Sequence, residues 1–447
     1  MATEVQTAEI VKEPSYDALA VVDDDDEDDE IVDSSGAAPS ADVIGLGLPL
    51  LQMSLLESEC FIEQHGVQLN ESICAGSEHA ALFGYVQNSN DILFSPAGDV
   101  VTTLRVVQAL NAEFPYSAAM VGSVGHDEAS STLTNCLEGE KIRCLFYQPP
   151  NVAGAVGRNS DDGGTGLKVA VTLKEAEVTG EEMLGRGRKY QGSSNTTVSS
   201  STKVGEVVRT GAAHTYKHDH LRFTVWEHVE RCNIVYSSSF FLGVSADSLT
   251  SVAESCHKSG QILCFNLACA SLVHIWHRQL QCLLPFIEYL FGSEREFVQL
   301  ATSLNLPCQE IEDVVQTISA QPKIGRASRV VICTRGDKPT LVASNWRGHG
   351  QKLATYPVRK ITADDRKDVH VSLSGAGDAF AGGFVYSLLH DGDIDACLHL
   401  GHFAAREHIL SSDKTTVSFK NEKPDVNVET MRKVVSRRRD SLLASGT

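Results

Sequence analysis

The sequence predicts an α/β fold: a doubly wound, mainly parallel sheet with helices on both faces and a small β-rich lid. Three observations carry that expectation. Short Val-, Ile- and Leu-rich runs are apolar throughout; segments of helical period separate them; and a glycine-rich turn opens a helix near the C-terminal end. Val43-Ile44-Gly45-Leu46 reads as the first strand, followed by Ala118-Ala119-Met120-Val121-Gly122-Ser123-Val124. Cys232-Asn233-Ile234-Val235-Tyr236, Ile262-Leu263-Cys264-Phe265 and Val330-Val331-Ile332-Cys333 read the same way. Strands apolar on both faces need cover on both sides, which helices between parallel strands supply. Helical patterns at 104–110, 248–258, 296–304 and 311–318 are placed to do so.

Length and composition limit the alternatives. The chain has 447 residues with 42% hydrophobic and 21% charged residues, an ordinary globular balance. No run approaches the ~18 apolar residues of a membrane span. Of the net charge of −20, residues 1–42 hold 14 acids against one base, Lys12. The run from Asp23 to Glu30 is entirely acidic, so 1–42 is expected to be a solvated, disordered tail. The remaining body is only mildly acidic, which argues against nucleic-acid binding through overall charge. Twelve scattered cysteines without a CxxC pair, and an N-terminal stretch without a basic-then-apolar leader, point to a reduced cytoplasmic protein. Met431 to Arg439 reads as a basic helical end within a 426–447 extension; it could also serve as a nuclear signal. Two stretches poor in apolar residues, 150–166 and 180–208, are expected to be mobile insertions. His214, His218 and His220 lie close together, but no Cys or Glu signature flanks them, so a metal site is not expected there.

The chemistry-bearing stretch is Ser374-Gly375-Ala376-Gly377-Asp378-Ala379-Phe380-Ala381-Gly382-Gly383-Phe384. Small residues at a helix start let backbone N–H groups approach an anion, and the helix's positive end favours negative charge. Gly375, Ala376 and Gly377 can therefore form an anion hole for a transferring phosphoryl group. Asp378, inside that turn, can take the proton of an attacking hydroxyl. A capped helix with a glycine-rich start for close packing is the plain structural alternative.

Gly-Ala-Gly-Asp-Ala-Phe at 375–380 resembles the signature of the ribokinase-like (PfkB) carbohydrate and nucleoside kinases. The resemblance extends over about Val43 to Asp425. It includes Gly45-Leu46-Gly47-Leu48-Pro49, Phe240-Phe241-Leu242-Gly243, Phe265-Asn266-Leu267, Thr334-Arg335-Gly336 and Gly401-His402-Phe403-Ala404-Ala405 in the family's order. It is strongest toward the members that phosphorylate adenosine. What it implies is transfer of the γ-phosphate of ATP, with Mg2+, to a nucleoside 5′-hydroxyl by a monomer with no membrane partner. Asp378 would be the base, and Thr334, Gly336, His402 and Ala405 would lie by ATP. Gln52, Gly98, Thr102 and Asn266 would face the acceptor, and Glu296 the metal.

The chain departs from the family pattern mainly on the sugar side. Leu48 and Gln52 replace an Asn and a ribose-binding Asp; Ala97 and Thr102 replace a Gly and an Asn; His214 and Ser293 replace Asn, and Ser372-Leu373 replaces Asp-Thr. A carboxylate on paired hydroxyls makes charge-assisted bonds of about 1.5–3 kcal/mol each. Losing several would weaken ribose binding about a thousandfold or more. Two classes therefore stand at this point: a kinase with a remodelled sugar pocket, and a catalytically impaired relative kept as a binding or regulatory protein.

Overall fold

The computed structural model describes residues 41–417 apart from 70, 90–91, 151–163, 174–202, 308–309, 326–327, 345–351, 363–364, 366–372 and 412–416. The acidic leader up to residue 40, the centres of both expected insertions and the basic extension lie outside the described residues. The strands are β1 (Val43–Leu46), β2 (Leu50–Glu57), β3 (Ser72–Cys74), β4 (Leu93–Ala97), β5 (Ala118–Ser123), β6 (Arg143–Tyr147) and β7 (Leu167–Leu173). They continue as β8 (Val204–Arg209), β9 (Ile234–Ser238), β10 (Ile262–Asn266), β11 (Tyr289–Ser293), β12 (Val330–Arg335), β13 (Lys338–Ser344) and β14 (Lys352–Tyr356). Nine form one sheet in the order β14-β13-β12-β11-β10-β9-β1-β5-β6. Every pairing from β12 to β6 is parallel, and β13 and β14 add an antiparallel edge.

The reason is visible in the sequence pattern. All six residues of β5 are buried, as are all four of β1 and all five of β9. Alternate side chains enter separate cores on the two faces: Ile44, Val235 and Leu263 on one, Val43, Ile234 and Cys264 on the other. The expected strand beginning at Cys232 starts instead at Ile234. Cys232 gives its N–H to His228 O at 3.1 Å and closes the preceding helix.

The smaller sheet has the order β3-β8-β7-β2-β4. Its β8 lies within a stretch read as mobile, and 204–208 are a correction to that reading. Val207 is fully buried and pairs with Val169. The end of the other stretch is also fixed: Thr165 donates its N–H to Asp127 Oδ2 at 2.6 Å.

Glycines set how closely the helices approach. A Cβ on Gly45 would lie 2.5 Å from Val100 Cγ1, so β1 receives the helix Asp99–Leu110 directly against its backbone. A Cβ on Gly382 would meet Val106 Cβ at 2.6 Å and Thr103 O at 2.7 Å; one on Gly383 would run into Leu400 O. The helix Ala376–Leu389 is thereby wedged between Asp99–Leu110 and Ile394–Leu410. No described helix is long and apolar enough to cross a membrane.

Gly382→Val is expected to lower the melting temperature, because two branches must enter a contact with no room for one carbon. Overpacking of this kind costs about 1–3 kcal/mol. Thermal unfolding followed by circular dichroism checks it; an unchanged midpoint would show that the helices separate freely.

Candidate active site

Asp378 lies in the first turn of Ala376–Leu389, where N–H groups lack intrahelical acceptors. Gly375 precedes that helix at φ +79°, a left-handed conformation natural to glycine. His408, from the C-terminal helix, supports the turn with a 3.0 Å hydrogen bond between its Nε2 and Ser374 O. Ala376 spends its N–H on Leu373 O at 3.2 Å. The turn therefore presents the N–H groups of Gly377 and Asp378, and Gly377 is exposed.

The Asp378 side chain is half-buried and receives a hydrogen bond from Asn266 Nδ2 to its Oδ1 at 3.3 Å. Asn266 ends β10, and its own Oδ1 accepts the N–H of Ala268 at 3.1 Å, which holds the amide in that orientation. Burial raises the Asp378 carboxyl to about 8; the Asp99 and Glu296 charges push the same way, and Lys168 opposes them. Asp99 is the first residue of its helix, after Gly98 at φ +120°. Burial raises its carboxyl too, against the Ser238 hydroxyl and the Val100 N–H, which favour its charge. The Thr103 hydroxyl lies 3.0 Å from Asp378 O and 3.2 Å from Asp99 O, so the two helix starts are fastened at one point.

The smaller sheet contributes two charged side chains. Lys168 Nζ on β7 lies 2.7 Å from Glu206 Oε1 on β8, and Glu206 Oε1 accepts Ser374 Oγ at 2.8 Å. Burial works against the Glu206 charge, but Lys168 and the hydroxyls of Ser374 and Ser72 outweigh it and hold its pKa below the usual range. A charged chain thus joins the smaller sheet to the glycine turn.

The structure brings together Asp378, Asn266, Gly375 and Thr102; Thr102 Cγ2 lies 3.7 Å from where a Cβ on Gly375 would stand. Gly98 adjoins them, and a Cβ there would run into Leu48 O. Gln52 is turned along its own strand, donating to Ser54 Oγ at 3.0 Å. Glu296 completes the cap of the helix Glu294–Ser303, its Oε2 accepting Ser293 N–H at 2.7 Å. Thr334 sits where the β12–β13 register shifts, its hydroxyl 3.4 Å from Gly292 O, and Gly336 turns that hairpin at φ +67°. His402 packs edge-on against Phe380 with ring centroids 5.1 Å apart, and Ala405 packs beside the core. Burial lowers the His402 pKa to about 4, so the ring is neutral.

Asp99, Lys168 and Glu206 escaped sequence reasoning. Asp99 lies within a stretch already singled out, and the only signal was an acid beside a glycine at a helix start. Lys168 breaks the apolar run of β7, and Glu206 lies in a stretch whose composition suggested a loop. His218 and His220 turn to separate partners, Ser248 Oγ and Tyr216 Oη, each at 3.2 Å.

A parallel sheet whose strand ends meet a glycine turn, a helix N-terminus and a carboxyl tuned near neutrality defines a group-transfer site for an anionic donor. The chain belongs to the pfkB family of carbohydrate kinases, whose description it matches over residues 188–420. It is thus a phosphotransferase with an alcohol group as acceptor. It is 24% identical over 387 residues to adenosine kinase 2 of Arabidopsis thaliana, covering 86% of this chain and 97% of the relative. To the adenosine kinase of Schizosaccharomyces pombe it is 24% identical over 375 residues, covering 83% and 95%. The crystal structure of Anopheles gambiae adenosine kinase with P1,P4-di(adenosine-5) tetraphosphate superposes with a TM-score of 0.67 at 26% identity, covering 86% of this chain and all of that one. Adenosine kinase of Trypanosoma brucei brucei gives 0.69 at 21% identity, covering 84% of this chain and all of that one.

A base must be deprotonated to act, so kcat/KM is expected to rise with pH and level off above about 8. Asp99→Asn removes a neighbouring negative charge and should move that limb to lower pH. An Asp99→Asn profile superimposing on the wild type would separate the two carboxyls.

Proposed function

We propose that this kinase transfers the γ-phosphate of ATP to the 5′-hydroxyl of adenosine, or of a related nucleoside, giving the 5′-monophosphate and ADP. The observation that carries the reading is the Asp378 carboxyl, tuned near neutrality and held by Asn266 beside the Gly375–Gly377 turn. As the hydroxyl oxygen bonds to the γ-phosphorus, its proton passes to Asp378 and the bond to the β-phosphate oxygen breaks. The glycine turn offers N–H donors to the charge gathering on the transferring group. ATP is assigned to Thr334, Gly336, His402 and Ala405, and the acceptor to Gly98, Thr102 and Asn266, with Gln52 at its edge. The adenosine kinases among its relatives favour a nucleoside over a simple sugar. The described cysteines are all unpaired, which suits a reducing cytoplasm. The non-catalytic alternative has no finding behind it.

Magnesium, when bound, would spread the charge of the phosphates. The described residues include no group of three metal-ligating side chains. The fit is therefore to an ion carried by the phosphates and waters and met by one carboxylate, Glu296. Its Oε2 is engaged in the helix cap, and burial raises the pKa of its carboxyl against the Ser293 N–H and hydroxyl.

Purified protein with ATP, magnesium and a panel of nucleosides is expected to release the nucleoside monophosphate, and Asp378→Asn to reduce the rate by at least about a hundredfold. Product formation undiminished in the variant would remove Asp378 from the chemistry. Glu296→Gln keeps an acceptor for the Ser293 N–H but loses the charge. It should raise the magnesium concentration needed for half-maximal rate while leaving the melting temperature near wild type. An unshifted metal titration would take Glu296 out of the site.

A further inference from the structure

The smaller sheet touches the glycine turn through one carboxylate. Along β7 and β8, Val169 and Val207 point into the core behind the sheet, so Lys168 and Glu206 project from its other face. There Glu206 Oε1 lies 2.7 Å from Lys168 Nζ and accepts the Ser374 hydroxyl at 2.8 Å. Glu206 is buried, whereas Ser374, the residue before Gly375, is exposed. Lys168, Ser374 and the Ser72 hydroxyl keep the Glu206 carboxyl ionised despite its burial.

The ion pair is not needed to join the strands. β7 and β8 already pair from Leu167–Arg209 to Thr172–Val204, and apolar side chains of similar volume often replace such a pair without loss of stability. The pair points at the turn instead. The start of Ala376–Leu389 is the positive end of its helix, where a negative group is favoured. Glu206 supplies one from across the cleft. A second anion arriving at the turn meets that charge, and the Ser374 hydroxyl has one proton to donate to one of the two.

We propose that Glu206 is a built-in competitor of the phosphate donor: its carboxylate holds the Ser374 hydroxyl until the γ-phosphate displaces it from the turn. The contact is autoinhibitory, and Lys168 serves it by keeping Glu206 charged and in place. This rests on ATP as the donor, as read above, and adds a residue that sets the donor's affinity.

Calorimetric titration of the full chain with ATP and magnesium, in the absence of an acceptor, tests this without turnover. Glu206→Gln keeps the length of the side chain and an acceptor for Ser374 but removes the charge. It is expected to bind ATP at least about fivefold more tightly than wild type. ADP, which lacks the group that reaches the turn, should gain less than about twofold. Ser374→Ala breaks the same contact from the other side. In that background Glu206→Gln should gain about half as much or less, because both changes act on one bond. Hydrogen exchange needs no variant: ATP added to the wild type should speed exchange of the β8 amides by releasing their tether.

The proposal is overturned if Glu206→Gln binds ATP equally or more weakly, as a pair that merely braces the sheet would. An equal gain for ADP, additive effects in the double variant, or β8 exchange that ATP leaves unchanged or slows overturns it as well. A flat ATP titration for wild type and variant alike refutes ATP as the donor, and the competitor with it. ATP bound more tightly by Glu206→Gln, yet never passed to any nucleoside, refutes the nucleoside reading and leaves the role of Glu206 standing.

Discussion

The close contact of three helices through glycine is what the site depends on. Without side chains at Gly382 and Gly383, the helix that begins with the phosphate-type turn can press against two neighbours at once. That pressure, and the Thr103 hydroxyl between two backbone carbonyls, bring Asp378 and Asp99 into one electrostatic neighbourhood. Burial raises the proton affinity of both carboxyls, and the Asp99 charge adds to that of Asp378, so Asp378 owes its tuning to packing some distance along the helix.

Two parts of the chain meet at the glycine turn. The turn, Asp378 and Asn266 belong to the large sheet and its helices. The smaller sheet contributes β2, β7 and β8, where Gln52 is turned along its strand and a Lys168–Glu206 pair reaches the glycine turn through Ser374.

Much of this was legible beforehand. The large sheet could be read because a strand buried on both faces is apolar at every position, as in β5, and few other elements look like that. Gly375 to Asp378 could be read because helix starts that bind anions need small residues in a short local order. Strand β8 could not: Gly205 and Glu206 dilute its apolar character, and its order comes from pairing with β7. Asp99 was invisible for a related reason. One acid at a helix start is an ordinary cap residue until tertiary packing places a second carboxyl beside it.

The Glu206–Ser374 bond gives the smaller sheet a stake in events at the glycine turn. A ligand arriving there that draws the Ser374 hydroxyl to itself removes an attachment from the opposite wall of the cleft. Thermodynamic reciprocity then requires any ligand held by that wall to be felt at the turn by the same factor.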